Sequence, residues 1–171
     1  AVLVEALSRV VPVFSKLPND ILIERQEAFF GKVAGILVEA ASHDGVMQGI
    51  VVGIGVNIIE PPEGFPAELP WACSLGLTDV STFDDLASDL AQSIEKWLLP
   101  LDAVGKLSKA LYLLKESSVL ANKNISVSDQ ESHFEGQFEG FSEDGALLIR
   151  SNTGKLERVI TGDVNFDGYG Q

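Results

Sequence analysis

Two long, nearly continuous apolar runs joined by a short turn constrain the fold of this chain more than any other feature. The runs cover residues 32–40 and 46–58, and His43-Asp44-Gly45 between them is typical of a hairpin turn. Such runs are typical of strands covered on both faces, or on one face with a ligand against the other. The sequence therefore predicts a β-hairpin that is covered on both faces, or on one face with a ligand against the other.

The remainder of residues 1–117 predicts helices and short strands around this hairpin. Apolar residues recur every three to four positions from Phe83 to Trp97, which indicates one face of a helix, and Pro100 closes it. The predicted helices cover residues 2–10, 81–97 and 104–114, and the predicted short strands cover residues 13–16 and 21–25. We therefore expect an α+β domain with a mixed β-sheet over residues 1–117.

Residues 118–171 show a different pattern. Short β-prone segments alternate with turn signals such as Asp144-Gly145 and Asn152-Thr153-Gly154. The predicted strands cover residues 124–128, 133–141, 145–150 and 155–160. Four short strands in so few residues predict a small β-barrel appended to the first domain.

Charge and composition narrow the functional classes. The chain is 46% hydrophobic, enough for a substantial core, and its net charge of −13 argues against nucleic acid or anionic membrane as partners. Residues 1–58 carry only −2 of that charge, so an anionic ligand is expected there. No apolar stretch is long enough to span a bilayer. Cys73 is the single cysteine, which excludes a disulfide framework and predicts a cytoplasmic protein.

Glycines inside the apolar runs predict a place where a ligand approaches the backbone. Glycine weakens a strand and often marks such close approach, which applies to Gly35, Gly53 and Gly55. Lys32 stands just before the first run, where a lysine is usually a solvated surface residue, although the nearby Gly35 also allows contact with a ligand. Asn57 follows the last of these glycines with an amide suited to an adenine edge.

Three segments in this order closely resemble the catalytic domain of the biotin protein ligase family. They are Lys-Leu-Pro-Asn-Asp at 16–20, Gly-Lys-Val-Ala-Gly-Ile-Leu-Val-Glu at 31–39 and Val-Val-Gly-Ile-Gly-Val-Asn-Ile at 51–58. Residues 136–140, 143–148 and 161–164 resemble the SH3-like C-terminal domain of that family. The resemblance implies a catalytic domain of the class II synthetase and biotin ligase type, followed by an SH3-like barrel.

The resemblance also implies a role for each matching residue. Lys32 corresponds to the catalytic lysine that contacts the biotin carboxyl and the phosphate. The implied biotin-binding residues are Lys32, Gly35 and Ile36, and the implied nucleotide-binding residues are Asn19, Asp20, Gly53, Gly55 and Asn57.

The activity implied by the family is an ATP-dependent ligation in two steps. Biotin and ATP give biotinyl-5′-AMP, with Mg²⁺ accompanying ATP and no metal held by the protein. A lysine of a biotin carboxyl carrier domain then takes the biotin. The resemblance implies these small molecules and the carrier domain as partners, and it is compatible with a homodimer.

Two departures from the family keep other functions open. Leu17 stands where the family has tryptophan, and the Gly/Arg-rich loop over the adenylate, with the first biotin-binding strand, is expected before Ala1. One alternative is therefore an inactive fragment or a non-catalytic binding module. Another is a lipoate protein ligase, which shares the catalytic fold, although the SH3-like segment favours biotin.

Overall fold

The computed structural model describes residues 1–26, 29–98, 103–128, 132–167 and 169. Its elements in chain order are α1 (Val2–Leu7), β1 (Phe14–Lys16), β2 (Asp20–Gln26), β3 (Phe29–His43), β4 (Val46–Val56), α2 (Val80–Leu98), α3 (Ala103–Glu116), β5 (Asn124–Ser128), β6 (His133–Phe141), β7 (Leu147–Arg150), β8 (Leu156–Val159) and β9 (Asp163–Phe166). Within these ranges, no helix is long and apolar enough to cross a membrane.

The first four strands form one sheet in the order β1-β2-β3-β4. Neighbouring strands of this sheet are antiparallel, and parallel pairing enters through isolated bridges such as Lys32 with Ala72. The predicted hairpin is confirmed, because β3 and β4 join through Asp44 and Gly45, whose φ angles of 50° and 75° suit a two-residue turn.

Strand β2 lies between two hydrophobic cores. Successive side chains of a strand point to opposite faces, so Ile21 and Leu22 enter different cores. Ile21 packs in a cluster with residues of α1, β3 and α2, together with the buried Cys73. Leu22, which has no exposed surface, packs instead in the other cluster, with Leu120 from the turn before β5 and with residues of the second sheet such as Ile149. The two sheets therefore share buried surface across β2.

The second sheet has the strand order β8-β7-β6-β5-β9. The four predicted strands are present at nearly the predicted bounds, and Asp163–Phe166 adds a fifth. Gly136 in β6 has a φ of 159°, and a Cβ there would lie 2.2 Å from the carbonyl oxygen of Arg150. The strands therefore pack too closely at this point for any side chain. The predicted α+β class with an SH3-like C-terminal domain is confirmed, and the boundary between residues 117 and 118 stays a prediction.

Several predicted boundaries differ from the structure by one to three residues, and two of these differences have consequences. Helix α1 ends at Leu7 instead of residue 10, because the β-branched Val10 and Val11 disfavour a helix and Pro12 cannot continue one. Strand β4 ends at Val56 instead of residue 58. Pro100, expected to close the second predicted helix, lies outside the described residues.

The outer half of the hairpin corrects the expectation that its apolar strands are covered. Side chains from Leu37 onward in β3 and along most of β4 are exposed, with Leu37, Val46 and Val51 each at 61%. The elements that cover the sheet pack on β2 and the first half of β3, and β4 is the edge strand. A run of apolar residues predicts a strand, but how far that strand is covered depends on the reach of its neighbours.

Candidate functional site

A β-bulge in β3 brings Lys32 and Gly35 to the same face of the sheet. Ile21 pairs with Ala34 while the next residue, Leu22, pairs with Lys32, so Val33 is an extra residue in β3. In a regular strand, residues three positions apart point to opposite faces. The bulge cancels this alternation, and a Cβ at Gly35 would lie 3.1 Å from Cε and 3.2 Å from Nζ of Lys32. The lysine side chain therefore lies directly over Gly35.

The backbone of Lys32 is held on both sides. Leu22 of β2 is its strand partner on one side. On the other, the Lys32 N–H donates to the carbonyl of Trp71 at 2.7 Å, and the Cys73 N–H donates to the carbonyl of Lys32 at 3.0 Å. The lysine stem thus starts from a fixed backbone position, while its side chain stays 32% exposed.

Asp20 is the carboxylate that faces Lys32. It begins β2 after the turn at residues 17–19, where the Leu17–Pro18 peptide is cis. Lys32 Nζ lies 2.6 Å from Asp20 Oδ1, Lys16 Nζ lies 3.8 Å from Oδ2, and the Tyr169 hydroxyl donates to Oδ2 at 3.3 Å. Lys16 and Asp20 are 7% and 8% exposed. A buried carboxylate is thereby compensated by two ammonium groups and a phenol.

A shallow cleft of about 440 Å³ opens beside this ion pair. Its lining residues come from the turn before β2 and from the paired strands β3 and β4: Asn19, Lys32, Gly35, Ile36, Leu37, Gly53, Ile54 and Gly55. Gly35 and Gly55 are direct partners across these strands, so the floor of the cleft at that point is bare backbone. A floor of backbone and aliphatic carbon beside one ammonium group suits a compact apolar molecule that bears an anion.

Asn19 closes one end of the cleft and is itself fixed to β3. Its carbonyl accepts from the Ile36 N–H at 2.9 Å, and its side-chain amide donates to the Ile36 carbonyl at 3.0 Å. This two-way contact joins the turn to the glycine-containing part of β3. Six of the predicted site residues thus line the cleft: Asn19, Lys32, Gly35, Ile36, Gly53 and Gly55. Asp20 does not line it, but forms an ion pair with Lys32.

Asn57 is placed differently from the other predicted residues and does not line the cleft. Its side-chain amide donates to the carbonyl of Cys73 at 3.0 Å and to that of Lys32 at 3.4 Å, and its N–H donates to the carbonyl of Val33 at 2.7 Å. These contacts tie the end of β4 to the bulge. The predicted contact between Asn57 and adenine stays a prediction.

Replacement of Asn57 by alanine distinguishes these two roles. Because the change leaves the Cys73 carbonyl without the amide donor and removes one of the two donors to the Lys32 carbonyl, we expect it to lower the free energy of unfolding by about 1–3 kcal/mol. If biotin and ATP bind as the family resemblance implies, both should bind more weakly. Urea unfolding and calorimetric titration with each ligand measure this. A loss confined to ATP, with unchanged stability, would instead assign Asn57 to the nucleotide.

Two members of the polar cluster escaped the sequence-based site prediction. Lys16 belongs to the Lys-Leu-Pro-Asn-Asp segment and stands four residues before Asp20, a spacing that could have suggested a pair. No sequence pattern marks Tyr169 as a site residue, because it lies three residues after β9 and meets Asp20 only in the folded chain. A parallel bridge with Phe30 holds its backbone there.

A larger cavity of about 1030 Å³ lies elsewhere, between Leu17-Pro18 and the second sheet. Among the described residues that line it, Asp163 is the one ionisable group, beside hydroxyls such as Thr161. A cavity with a single solvated carboxylate offers less for chemistry than the smaller cleft beside Lys32. We therefore take the smaller cleft as the candidate site.

Comparison with known proteins shows which proteins this chain is similar to. The sequence profile of the family described as "Biotin protein ligase C terminal domain" matches residues 122–167. The chain is also 33% identical over 161 residues to the biotin–[acetyl-CoA-carboxylase] ligase of Paracoccus denitrificans, covering 90% of this chain and 62% of that protein. Residues 122–167 thus match the C-terminal domain of biotin protein ligases, and the chain as a whole is similar to a ligase of that family.

Another curated ligase and a solved ligase structure also match most of this chain. The bifunctional ligase/repressor BirA of Bacillus subtilis (strain 168) is 26% identical over 168 residues, covering 87% of this chain and 45% of that protein. The chain thus spans 45% to 62% of the length of these two relatives. The ligase of Aquifex aeolicus, solved in complex with biotin and ATP, superposes with a TM-score of 0.69 at 19% identity, over 96% of this chain and 67% of that one. At 19% identity, this superposition shows that the two chains share a fold and nothing further.

Proposed function

We propose that this chain carries the larger part of the biotin and ATP site of a biotin protein ligase. The single observation that carries the proposal is the ammonium of Lys32, held by the bulge above a glycine floor in a chain that is similar to a ligase of this family. The aliphatic wall of the cleft suits the rings of biotin, and Lys32 suits the carboxylate.

Lys32 is the candidate catalytic residue for adenylation. In this reaction a carboxylate oxygen of biotin bonds to the α-phosphorus of ATP, and the bond to pyrophosphate breaks, which gives biotinyl-5′-AMP. Because two anions must approach each other, a fixed cation stabilises the point of attack. Asn19, Asp20, Gly53 and Gly55 remain the proposed nucleotide-side residues, and Gly35 and Ile36 the proposed biotin-side residues.

Mg²⁺ belongs to this proposal as part of the ATP substrate. The described residues hold no group of three or more histidine, cysteine, aspartate or glutamate side chains placed to bind a metal ion. Asp20, the carboxylate nearest the cleft, already faces two ammonium groups. Magnesium commonly binds through substrate phosphates with few protein ligands, which fits this donor set.

The second step transfers biotin to a carrier. We propose a lysine of a biotin carboxyl carrier domain as acceptor: its amine bonds to the acyl carbon of biotinyl-5′-AMP, AMP leaves, and the amine loses a proton. The match of residues 122–167 to the biotin ligase C-terminal domain favours biotin over lipoate. Biotin-dependent ATP–pyrophosphate exchange in the intact protein, followed by mass spectrometry of a carrier domain, tests both steps. Exchange that depends on lipoate instead would select the alternative.

Gly55 provides a test of the cleft that leaves the fold intact. A Cβ at Gly55 would meet no atom within 4 Å, so Gly55→Ala is expected to keep stability while its methyl group enters the space proposed for biotin. Overpacking of this kind costs about 1–3 kcal/mol, so biotin affinity should fall roughly fivefold or more. Isothermal titration with biotin measures the loss.

Gly49 is the matched control for that experiment. It lies in the same strand, a Cβ there would also meet no atom within 4 Å, and it lies outside the cleft. Gly49→Ala is expected to bind biotin like the wild type. Equal affinity of the Gly55 and Gly49 variants would contradict the proposed position of biotin.

A further inference from the structure

Lys16 is a buried charged residue that the proposed reaction does not use. Its side chain is 7% exposed, and its ammonium lies 4.5 Å from the centre of the Tyr169 ring. Burial is the largest influence on Lys16 and lowers its pKa; Asp20 opposes this effect, and the neighbouring Lys32 adds to it. An ammonium kept in such a position is costly unless it is compensated, and Asp20 is the buried group that compensates it.

Lys16 changes the net charge of the group formed by Lys16, Asp20 and Lys32. A pair of Lys32 and Asp20 alone would be neutral, so the carboxylate would cancel the attraction of the ammonium for an anion in the cleft. With Lys16 also facing Asp20, the three ionised groups carry a net charge of +1. Asp163 also attracts Lys16, but its side chain is exposed, and solvent screens this attraction.

We propose that Lys16 is a positioning residue that shares the charge of Asp20 and so leaves Lys32 with a net attraction for the anionic group of the ligand. Asp20 can then hold the Lys32 ammonium over Gly35 without neutralising the site. Tyr169, from the end of the second sheet, donates to the same carboxylate and covers the Lys16 ammonium. The identification of that anion as the carboxylate of biotin rests on the proposed function.

The first arm of the test needs no ligand. The pKa of Lys16 is measured by NMR titration of ¹³Cε-labelled lysine, with its signal assigned by its loss in Lys16→Met. Asp20→Asn removes the attracting charge and is expected to lower the Lys16 pKa further. Lys32→Met removes the repelling charge and is expected to raise it. An unchanged Lys16 pKa in both variants would overturn the charge sharing, whatever the protein binds.

The second arm compares biotin with biotinol, its uncharged alcohol. Lys16→Met is expected to weaken biotin roughly tenfold more than biotinol, because the uncharged ligand does not sense the lost charge. The double variant Lys16→Met with Asp20→Asn returns the net charge to +1 and should restore much of the biotin affinity. A merely structural role would give equal losses for both ligands and no rescue, and either result would overturn the proposal.

Lys123→Met is the matched control. Lys123 also lies over aromatic rings, at 5.0 Å from Phe30 and 4.6 Å from Phe166, but it does not line the cleft. The Lys123→Met variant should bind biotin and biotinol with the affinities of the wild type. A selective loss of biotin affinity in this variant would contradict a local effect of Lys16. If the wild type binds neither ligand, the proposed function is wrong and the assignment to biotin falls with it, while the Lys16 titration still decides the charge sharing.

Discussion

Lys32→Ala is expected to lower the rate of biotin-dependent ATP–pyrophosphate exchange about a thousandfold in the intact protein. At an effective dielectric constant of ~20, two unit charges ~4 Å apart interact by about 4 kcal/mol, which corresponds to roughly three decades of rate if it is realised in the transition state. Stability should fall much less than exchange: the buried Asp20 loses one partner, but Lys16 and Tyr169 still face it, and the Lys32 side chain is itself 32% exposed. The exchange assay is therefore paired with a thermal melt.

Lys155→Ala is the control for that prediction. Lys155 is also an ion-paired lysine, 2.8 Å from Glu157, but it is 70% exposed, directly precedes β8 and does not line the cleft. Surface pairs of this kind contribute little to stability, and we expect normal exchange and a normal melt. Unchanged exchange in Lys32→Ala would remove Lys32 from the proposed reaction.

Leu22→Ala is expected to produce the largest loss of stability. Leu22 is fully buried in the core shared by β2 and the second sheet. Truncation of a buried leucine costs about 2–5 kcal/mol, through the lost transfer free energy and the cavity left behind. Urea unfolding followed by circular dichroism measures this change, which is a large part of the roughly 5–15 kcal/mol typical of a folded protein.

Leu156→Ala is the matched control, because Leu156 lies in β8 and is 46% exposed. Its replacement should lower the free energy of unfolding by less than about 1 kcal/mol. If Leu22→Ala were no more destabilising than Leu156→Ala, the packing of β2 against the second sheet would be contradicted.

Much of the local structure could be predicted from the sequence. The hairpin turn at Asp44-Gly45 and the strands of the second sheet both follow from short-range patterns. Burial raises the pKa of the Cys73 thiol to about 11, which fits a core residue and not a reactive one. The exposure of the outer hairpin could not be predicted, since it depends on which other elements reach that part of the sheet.

By itself, the sequence determined the residue types of the site, the family they resemble and the two strands that carry the glycines. Only the tertiary structure decided how Lys32 meets Gly35, because strict alternation would separate them and the bulge at Val33 is set by pairing with β2. It also decided that Asp20 faces both Lys16 and Lys32. Strand periodicity is a property of neighbouring residues, whereas register and ion pairing depend on segments that meet only when the chain folds.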